Sequence, residues 1–263
     1  MPVLTGRRIE HIDQRREGLR IPFPDNLAGR LTGRIIRSFD RRAKYILIHL
    51  DNEQIAVLHL GMSGRVLILE AGHDYTPQKH DHLILTFDDG ARLVYNDPRR
   101  FGMFFMLGED ELVSHKAFAA LGPEPLGNGF NAPYLLTVLK TRKSSIKEAI
   151  MDQKTVVGVG NIYACESLYE SSIHPARRAC DLSGDEAELL TRAIKSVLER
   201  AIRAGGSSLK DYRHPDDKLG YFQHQFAVYG RAGDACNRCG DSANIKKITQ
   251  GGRSTFFCES CQK

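Results

Sequence analysis

The chain has 263 residues, of which 41% are hydrophobic and 26% charged, and its formal net charge is +5. These proportions are ordinary for a soluble globular protein, and the mild positive charge favours an anionic partner without identifying one. No apolar run reaches the ~18 residues that cross a bilayer, and no signal peptide follows Met1. The sequence therefore predicts a cytoplasmic protein with no membrane partner.

Short apolar alternations bounded by turn residues recur between residues 34 and 107, and they predict antiparallel strands. The clearest strands are expected at 45–50, 55–58, 83–87 and 92–95. Asp88-Asp89-Gly90 predicts a tight turn between the last two of these. This part of the chain is interpreted as a β-sandwich or flattened barrel.

The pattern becomes helical after the Leu-Gly-Pro-Glu-Pro segment at 121–125, and we place a domain boundary there. Ser183 and Glu186 have the spacing of a capping box and predict a helix that ends near Gly205. Residues 207–221 are mostly polar and predict a loop or lid. The apolar face of the predicted helix consists of Leu190, Ile194, Val197, Leu198 and Ala201.

Four cysteines near the end of the chain form two CxxC pairs, Cys236/Cys239 and Cys258/Cys261, separated by 18 residues. Each pair can present two sulfurs to one tetrahedral ion, which predicts a closed, structural zinc site. Two disulfides or a redox pair are the alternative, and a cytoplasmic location disfavours them. Residues 250–257, between the pairs, predict a hairpin with Arg253 near its tip.

Seven strings, taken in order, closely resemble the bacterial formamidopyrimidine-DNA glycosylases over about residues 3–263. The seventh string is the four-cysteine ribbon, and the first six are RAKY (42–45), HLGMSG (59–64), KHDH (79–82), DPRRFG (97–102), LGPEPL (121–126) and VGVGNIY (157–163). The resemblance implies an α+β multidomain fold. Its expected parts are an N-terminal antiparallel β-sandwich (1–120), a helix-two-turn-helix domain (121–228) and a zinc finger (229–263).

The same resemblance implies a monomeric base excision repair enzyme with one structural Zn²⁺. Such an enzyme removes oxidised purines, including 8-oxoguanine and formamidopyrimidines, from damaged double-stranded DNA. The base is flipped out of the helix, a Schiff base forms on the sugar, and the abasic site is then cleaved by lyase chemistry.

Residue roles follow from the resemblance in three groups. Lys44, placed on a strand, matches the lysine of β-elimination, and Arg253 matches the residue linked to δ-elimination. Met62, Arg99 and Phe101 match side chains that fill the space left by the flipped base, although Met62 and Phe101 taken alone would be assigned to the sandwich core. Asn161 and Arg253 are expected to bind phosphates that flank the lesion, and the further expected DNA contacts are His59, His80, Arg100 and Lys143.

Asn161 also has a physical basis of its own. Gly158 to Asn161 precede a predicted helix, whose exposed backbone N–H groups and positive dipole end would attract a phosphate. A plain glycine turn between helices is the alternative for this string.

The start of the chain departs from the family pattern. The family begins Pro-Glu-Leu-Pro-Glu-Val-Glu, with the proline amine as nucleophile and the glutamate as general acid, whereas this chain begins Met1-Pro2-Val3. We expect the true start to be absent, through a reading frame opened at an internal methionine. The alternatives are a shortened protein that binds lesions without excising them, a pyrimidine-preferring relative of endonuclease eight, and a zinc-ribbon nucleic-acid adaptor without chemistry.

Overall fold

A computed structural model describes residues 2–206 and 221–263. These residues fall into two compact units, the first ending at Ala119 and the second beginning at Ala120. The predicted loop or lid at 207–221 lies outside the described residues except for its last position. The division into three domains, with boundaries after residues 120 and 228, stays a prediction.

The first unit consists of two four-stranded antiparallel sheets. Their strands are β1 (Ile9–Gln14), β2 (Ile36–Arg42), β3 (Tyr45–Leu50), β4 (Gln54–His59), β5 (Arg65–Leu69), β6 (Asp81–Phe87), β7 (Arg92–Asn96) and β8 (Met103–Gly108). One sheet has the order β1-β6-β7-β5 and the other β2-β3-β4-β8. The two sheets share one buried apolar core, to which Ile48 and Leu58 contribute from one sheet and Leu85 and Tyr95 from the other. The predicted sandwich and its four clearest strands are confirmed.

Strand β1 was not predicted, and its burial pattern explains why. Only Ile9 and Ile12 are buried, a spacing of three residues where a regular strand alternates with a period of two. The register against β6 shifts between Ile9 and His11, as a β-bulge requires. The bulge brings both isoleucines onto the core face and removes the alternation that reveals a strand in a sequence.

The second unit contains the helices α2 (Ala132–Leu139), α3 (Ile146–Met151), α4 (Asn161–Glu170) and α5 (Gly184–Arg203), whereas the short α1 (Leu27–Leu31) belongs to the sandwich. The predicted capping box is confirmed, because the Ser183 hydroxyl accepts from the Glu186 N–H and the Glu186 carboxylate accepts from the Ser183 N–H. The Arg177 guanidinium donates to both oxygens of the same carboxylate. The five predicted apolar positions of α5 are all buried. Among the described helices, none combines the length and apolar character needed to cross a membrane.

The last part of the second unit is a ribbon of short strands: β9 (Ala235–Cys236), β10 (Gly240–Asn244), β11 (Lys246–Gln250) and β12 (Arg253–Phe257). Strands β11 and β12 pair so that Gln250 faces Arg253 across a two-residue turn. Gly251 and Gly252 form the turn, and both have positive φ, the backbone that favours glycine in tight hairpins. The predicted hairpin with Arg253 at its tip is confirmed, and it starts earlier than expected, at Lys246.

The contribution of the Ser183 cap to stability can be tested by substitution. Replacing Ser183 by alanine removes the acceptor for the Glu186 N–H, and we expect the free energy of unfolding to fall by about 1 kcal/mol. Urea denaturation followed by far-UV circular dichroism measures the loss. Ser144→Ala is the matched control, because Ser144 is exposed and lies outside the helices. Equal stability of the two variants would contradict the cap.

Candidate nucleic-acid interface and metal centre

The four predicted metal ligands converge in the ribbon. All four sulfurs lie within 4.8 Å of one another. The Cys236–Cys261 sulfurs are 3.9 Å apart and the Cys239–Cys258 sulfurs are 3.8 Å apart. A tetrahedron with metal–sulfur bonds of about 2.3 Å has edges of about 3.8 Å, so the cluster has the dimensions of a four-thiolate zinc site. No disulfide joins these four cysteines in the structure, and their arrangement favours the metal site over the disulfide alternative.

The first knuckle is attached to the C-terminal end of α4. The Arg238 guanidinium lies 4.4 Å above the Tyr169 ring and donates to the backbone carbonyls of Tyr169 and Glu170, where the helix dipole is negative. The Tyr169 hydroxyl is 3.4 Å from the Cys236 sulfur. Burial raises the pKa of the Cys236 thiol, but hydrogen bonds from this hydroxyl, from two backbone N–H groups and from the Cys258 side chain together outweigh burial and lower it to about 6. The thiolate is therefore favoured at neutral pH, as a metal ligand requires.

The arginine at the hairpin tip is supported from two helices. Asn161, the first residue of α4, donates its side-chain amide to the Ser254 carbonyl at 2.9 Å. Lys147 of α3 donates to the Thr255 hydroxyl at 2.7 Å and to the same Ser254 carbonyl at 3.4 Å. Both contacts fall on β12 directly after Arg253. The structure thus brings the predicted residues Asn161 and Arg253 together.

Lys147 is a residue that the sequence reasoning missed. Its side chain is almost fully buried, at 1% relative exposure. Burial lowers the pKa of Lys147, the neighbouring Cys165 opposes this, and the Arg253 guanidinium lowers the pKa further. An open cavity of about 210 Å³ lies against Lys147 and Arg253. The only sequence signal was a lysine among the apolar positions of a short helix.

The start of α4 agrees with the predicted phosphate site. Gly158 has a φ of 82°, and Gly160 is the extended N-cap residue. Because glycine has no side chain, Gly160 leaves the first backbone N–H groups of the helix accessible to another acceptor. The prediction that a helix opens at Asn161 is confirmed.

Two loops of the sandwich carry the predicted space-filling side chains: the β4–β5 loop (60–64) and the β7–β8 loop (97–102). Met62 is 65% exposed and Phe101 is 45% exposed, so their assignment to the sandwich core is wrong. The Arg99 guanidinium lies 4.8 Å from the centre of the Phe101 ring. The loops meet at Gly61, where an added Cβ would lie 2.7 Å from the Phe101 backbone. We call these two loops, with the side chains of Met62, Arg99 and Phe101, the wedge.

His59 lies at the base of the wedge with a defined tautomer. Its Nδ1 accepts from the Gly61 N–H at 3.1 Å, so the proton of the neutral ring resides on Nε2. Burial lowers the pKa of His59, and the cations Lys44 and Arg20 lower it further. A neutral His59 can therefore donate Nε2–H to a phosphate oxygen. Arg20 was not singled out from the sequence, and its backbone N–H donates to the Gly102 carbonyl next to Phe101.

The position of Lys44 differs from the expectation. Arg42 and Tyr45 face each other as the last pair of β2 and β3, so Ala43 and Lys44 form a two-residue hairpin turn and not part of a strand. Ala43 accordingly has a φ of 53°. The turn places Lys44 at the exposed end of the hairpin.

The remaining predicted contacts are distributed over both units. His80 precedes β6, and Arg100 is exposed in the β7–β8 loop with a φ of 58°. Lys143 is exposed between α2 and α3. The catalytic and DNA-binding roles of all these residues stay predictions.

Family profiles match three successive parts of the chain. The profile described as the formamidopyrimidine-DNA glycosylase N-terminal domain matches residues 1–104. The formamidopyrimidine-DNA glycosylase H2TH domain matches residues 121–213, and the zinc finger found in FPG and IleRS matches residues 233–263. Sandwich, helices and ribbon therefore define a β-sandwich protein with a helical segment and a zinc finger.

Relatives match the chain along almost its full length. Formamidopyrimidine-DNA glycosylases of Gluconobacter oxydans and Dinoroseobacter shibae are 49% and 48% identical to it; the alignments cover 98% and 100% of this chain and 93% and 95% of theirs. The Lactococcus lactis Fpg, solved in complex with abasic-site DNA, is 32% identical with a TM-score of 0.89, over 99% of this chain and 94% of that one. MutM (Fpg) from Thermus thermophilus is 35% identical with a TM-score of 0.86, and the match covers 99% of this chain and 93% of that one. The chain belongs to the formamidopyrimidine-DNA glycosylase family.

The metal centre can be tested with two matched cysteines. Cys239 and Cys180 are both partly exposed, but only Cys239 belongs to the sulfur cluster. We expect the purified protein and Cys180→Ser to hold one zinc ion per chain, and Cys239→Ser to lose it, because three thiolates do not close the site. A chromogenic zinc assay after thiol modification measures the stoichiometry. Full zinc content in Cys239→Ser would contradict the four-ligand site.

Proposed function

We propose that this protein is a bacterial DNA glycosylase and abasic-site lyase that removes oxidised purines, such as 8-oxoguanine and formamidopyrimidines, from damaged double-stranded DNA. The observation that carries the proposal is the exposed wedge of Met62, Arg99 and Phe101 on two touching loops. Exposed apolar side chains do not stabilise a protein in water. In a duplex that has lost a base from its stack, the same side chains can fill the space that the base has left. The protein is proposed to act as a cytoplasmic monomer associated with the nucleoid.

The wedge suits an enzyme that flips its target nucleotide. Extruding a base costs a few kcal/mol of stacking, and inserted apolar side chains offset part of that cost. Arg99, with its guanidinium beside Phe101, can donate to the base left without a partner. The related Lactococcus lactis protein has been solved with abasic-site DNA and, as a point mutant, with Fapy-dG DNA.

Phosphate binding is proposed for six residues. Positively charged or N–H-bearing side chains hold the DNA backbone and set the position of the lesion without reading its identity. Asn161, at the open N-terminus of α4, donates to the Ser254 carbonyl directly after Arg253. The two residues are therefore close enough to bind neighbouring phosphate oxygens. The full set is His59, His80, Arg100, Lys143, Asn161 and Arg253.

The proposed chemistry follows the family pattern. A proline secondary amine attacks the sugar C1′, the base departs with the electrons of the glycosidic bond, and an iminium forms on the sugar. An α-amino group suits this step because its pKa of about 8 leaves a neutral fraction at physiological pH. Lys44 is proposed to remove the proton for β-elimination, and Arg253 to assist δ-elimination. Pro2 of this chain is followed by Val3 and not by a glutamate, and it is proposed to correspond to a later proline of the family pattern, not to the nucleophile.

Borohydride trapping tests the proposed chemistry. The product of the whole gene, including any in-frame codons before Met1, is incubated with an 8-oxoguanine duplex and with an undamaged duplex. We expect a covalent protein–DNA adduct with the damaged duplex alone, because borohydride reduces the iminium. An absence of adduct would remove the glycosylase proposal, and faster excision of thymine glycol than of 8-oxoguanine would remove the purine preference.

The wedge is tested separately by binding. Met62→Ala should weaken binding to a duplex containing a stable abasic analogue about tenfold, equivalent to about 1.4 kcal/mol, and leave binding to the intact duplex unchanged. Fluorescence anisotropy at constant salt measures both affinities. Val113→Ala is the matched control, because Val113 is 82% exposed in the same unit but lies outside the two loops. Equal losses in both variants would contradict the wedge.

A further inference from the structure

Asp97, at the start of the β7–β8 loop, is the buried centre of the wedge. Its relative exposure is 0%, although it is charged and lies beside the exposed Arg99, Arg100 and Phe101. A buried carboxylate is costly unless hydrogen-bond donors surround it. The donors that Asp97 meets belong to three different segments of the chain.

The first group of contacts shapes the β7–β8 loop itself. The Asp97 carbonyl accepts from the Arg100 N–H at 3.3 Å and closes a four-residue turn with Pro98 at its second position. The Asp97 Oδ2 accepts from the Gly102 N–H at 2.8 Å. Arg100, between these two bonds, adopts a φ of 58°, which a non-glycine residue rarely adopts without surrounding support.

The second group connects the two loops of the wedge. The Ser63 hydroxyl donates to the Asp97 Oδ1 at 2.7 Å, and its oxygen accepts from the Arg99 N–H at 3.2 Å. Ser63 is the residue directly after Met62, and Arg99 carries the guanidinium that covers Phe101. One hydroxyl therefore ties the backbone that bears Met62 to the backbone that bears Arg99.

The third group reaches the segment that contains the predicted DNA contact His80. The Asp97 N–H donates to the His80 carbonyl at 3.0 Å. His82, which is buried, donates its Nε2–H to the Asp97 carbonyl at 2.8 Å. The His80 backbone is thus held against the same residue that holds the wedge.

We infer that Asp97, acting with Ser63, is a positioning residue that holds Met62, Arg99, Phe101 and the His80 segment in the arrangement needed to fill the space of a flipped nucleotide. The inference rests on the proposed function. Neither residue needs to touch DNA. Asp97 accepts from the Arg100 N–H with its backbone carbonyl and from the Gly102 N–H with its carboxylate, and the Ser63 hydroxyl accepts from the Arg99 N–H. These N–H groups are therefore satisfied from inside the protein, and the side chains of the loop are left on its outer surface.

Two substitutions separate this role from simple stability. Asp97→Asn keeps the side-chain shape but leaves one oxygen in place of two, so Gly102 N–H or Ser63 O–H loses its acceptor. Ser63→Ala removes the hydroxyl bridge, and Ser63→Thr restores a hydroxyl. Asp89→Asn is the matched control, because Asp89 also accepts a backbone N–H, that of Ala91, in a turn of the same unit away from the wedge.

The readouts are the ratio of affinities for an abasic-analogue duplex and an intact duplex, and the fluorescence of 2-aminopurine placed opposite the abasic analogue. We expect Asp97→Asn to lower the affinity ratio at least tenfold and Ser63→Ala about threefold, each with a smaller 2-aminopurine response. Ser63→Thr and Asp89→Asn should retain the wild-type ratio and response. Thermal melting of every variant identifies any that is unfolded; should Asp97→Asn not fold, the Ser63→Ala and Ser63→Thr pair decides.

The outcomes are distinguishable. A wild-type protein that does not prefer the abasic duplex would overturn the proposed function and this inference with it. A wild-type preference that Asp97→Asn and Ser63→Ala retain in full would overturn the positioning role alone. Loss of preference in folded Ser63→Ala, with recovery in Ser63→Thr, supports it.

Discussion

Exposed apolar side chains need a rigid backbone if they are to enter a base stack and not collapse onto the protein. Full burial of a side chain such as Met62 or Phe101 contributes roughly 1.5–3 kcal/mol, and the exposed parts of both side chains forgo a share of it. The sandwich core beneath them supplies the stability, and the buried Asp97 satisfies the backbone of the loop that bears Arg99 and Phe101. The conformation of the wedge therefore depends on a carboxylate that DNA need not reach.

The second unit must also hold an exposed side chain, that of Arg253, on a rigid backbone, and it does so with different chemistry. Its hairpin is too small to bury a core of its own, and the sulfur cluster at one side supplies a metal site that can stabilise it. At the other side, Lys147 and Asn161 donate to the backbone or side chains of β12 next to Arg253. Before the ribbon begins, residues 227–229 donate three successive N–H groups to the buried Glu166 carboxylate of α4. One exposed arginine is thus held by contacts from both α3 and α4.

Local patterns predicted much of this fold, and the failures have physical causes. Regular alternation revealed β3, β4, β6 and β7, and the capping box revealed α5, because these signals lie within a few neighbouring residues. The bulge hid β1, and the turn at Lys44 was missed because pairing of Arg42 with Tyr45 is a property of two strands together. Only tertiary contacts reveal the positions of Asp97, Lys147 and Arg20 beside the predicted site residues. The four cysteines, by contrast, were predictable from spacing alone.

Affinity and lesion preference have separate physical origins in this chain. The proposed contacts from cationic side chains such as Arg253 to phosphates would release counterions, so they would strengthen binding to any duplex and weaken as salt increases. Such contacts cannot distinguish a damaged site from an intact one. Preference must come from groups whose environment changes when a base leaves the stack, and in the described residues the exposed Met62 and Phe101 meet that condition. Because apolar insertion depends little on ionic strength, the ratio of lesion to intact affinity should be less sensitive to salt than either affinity.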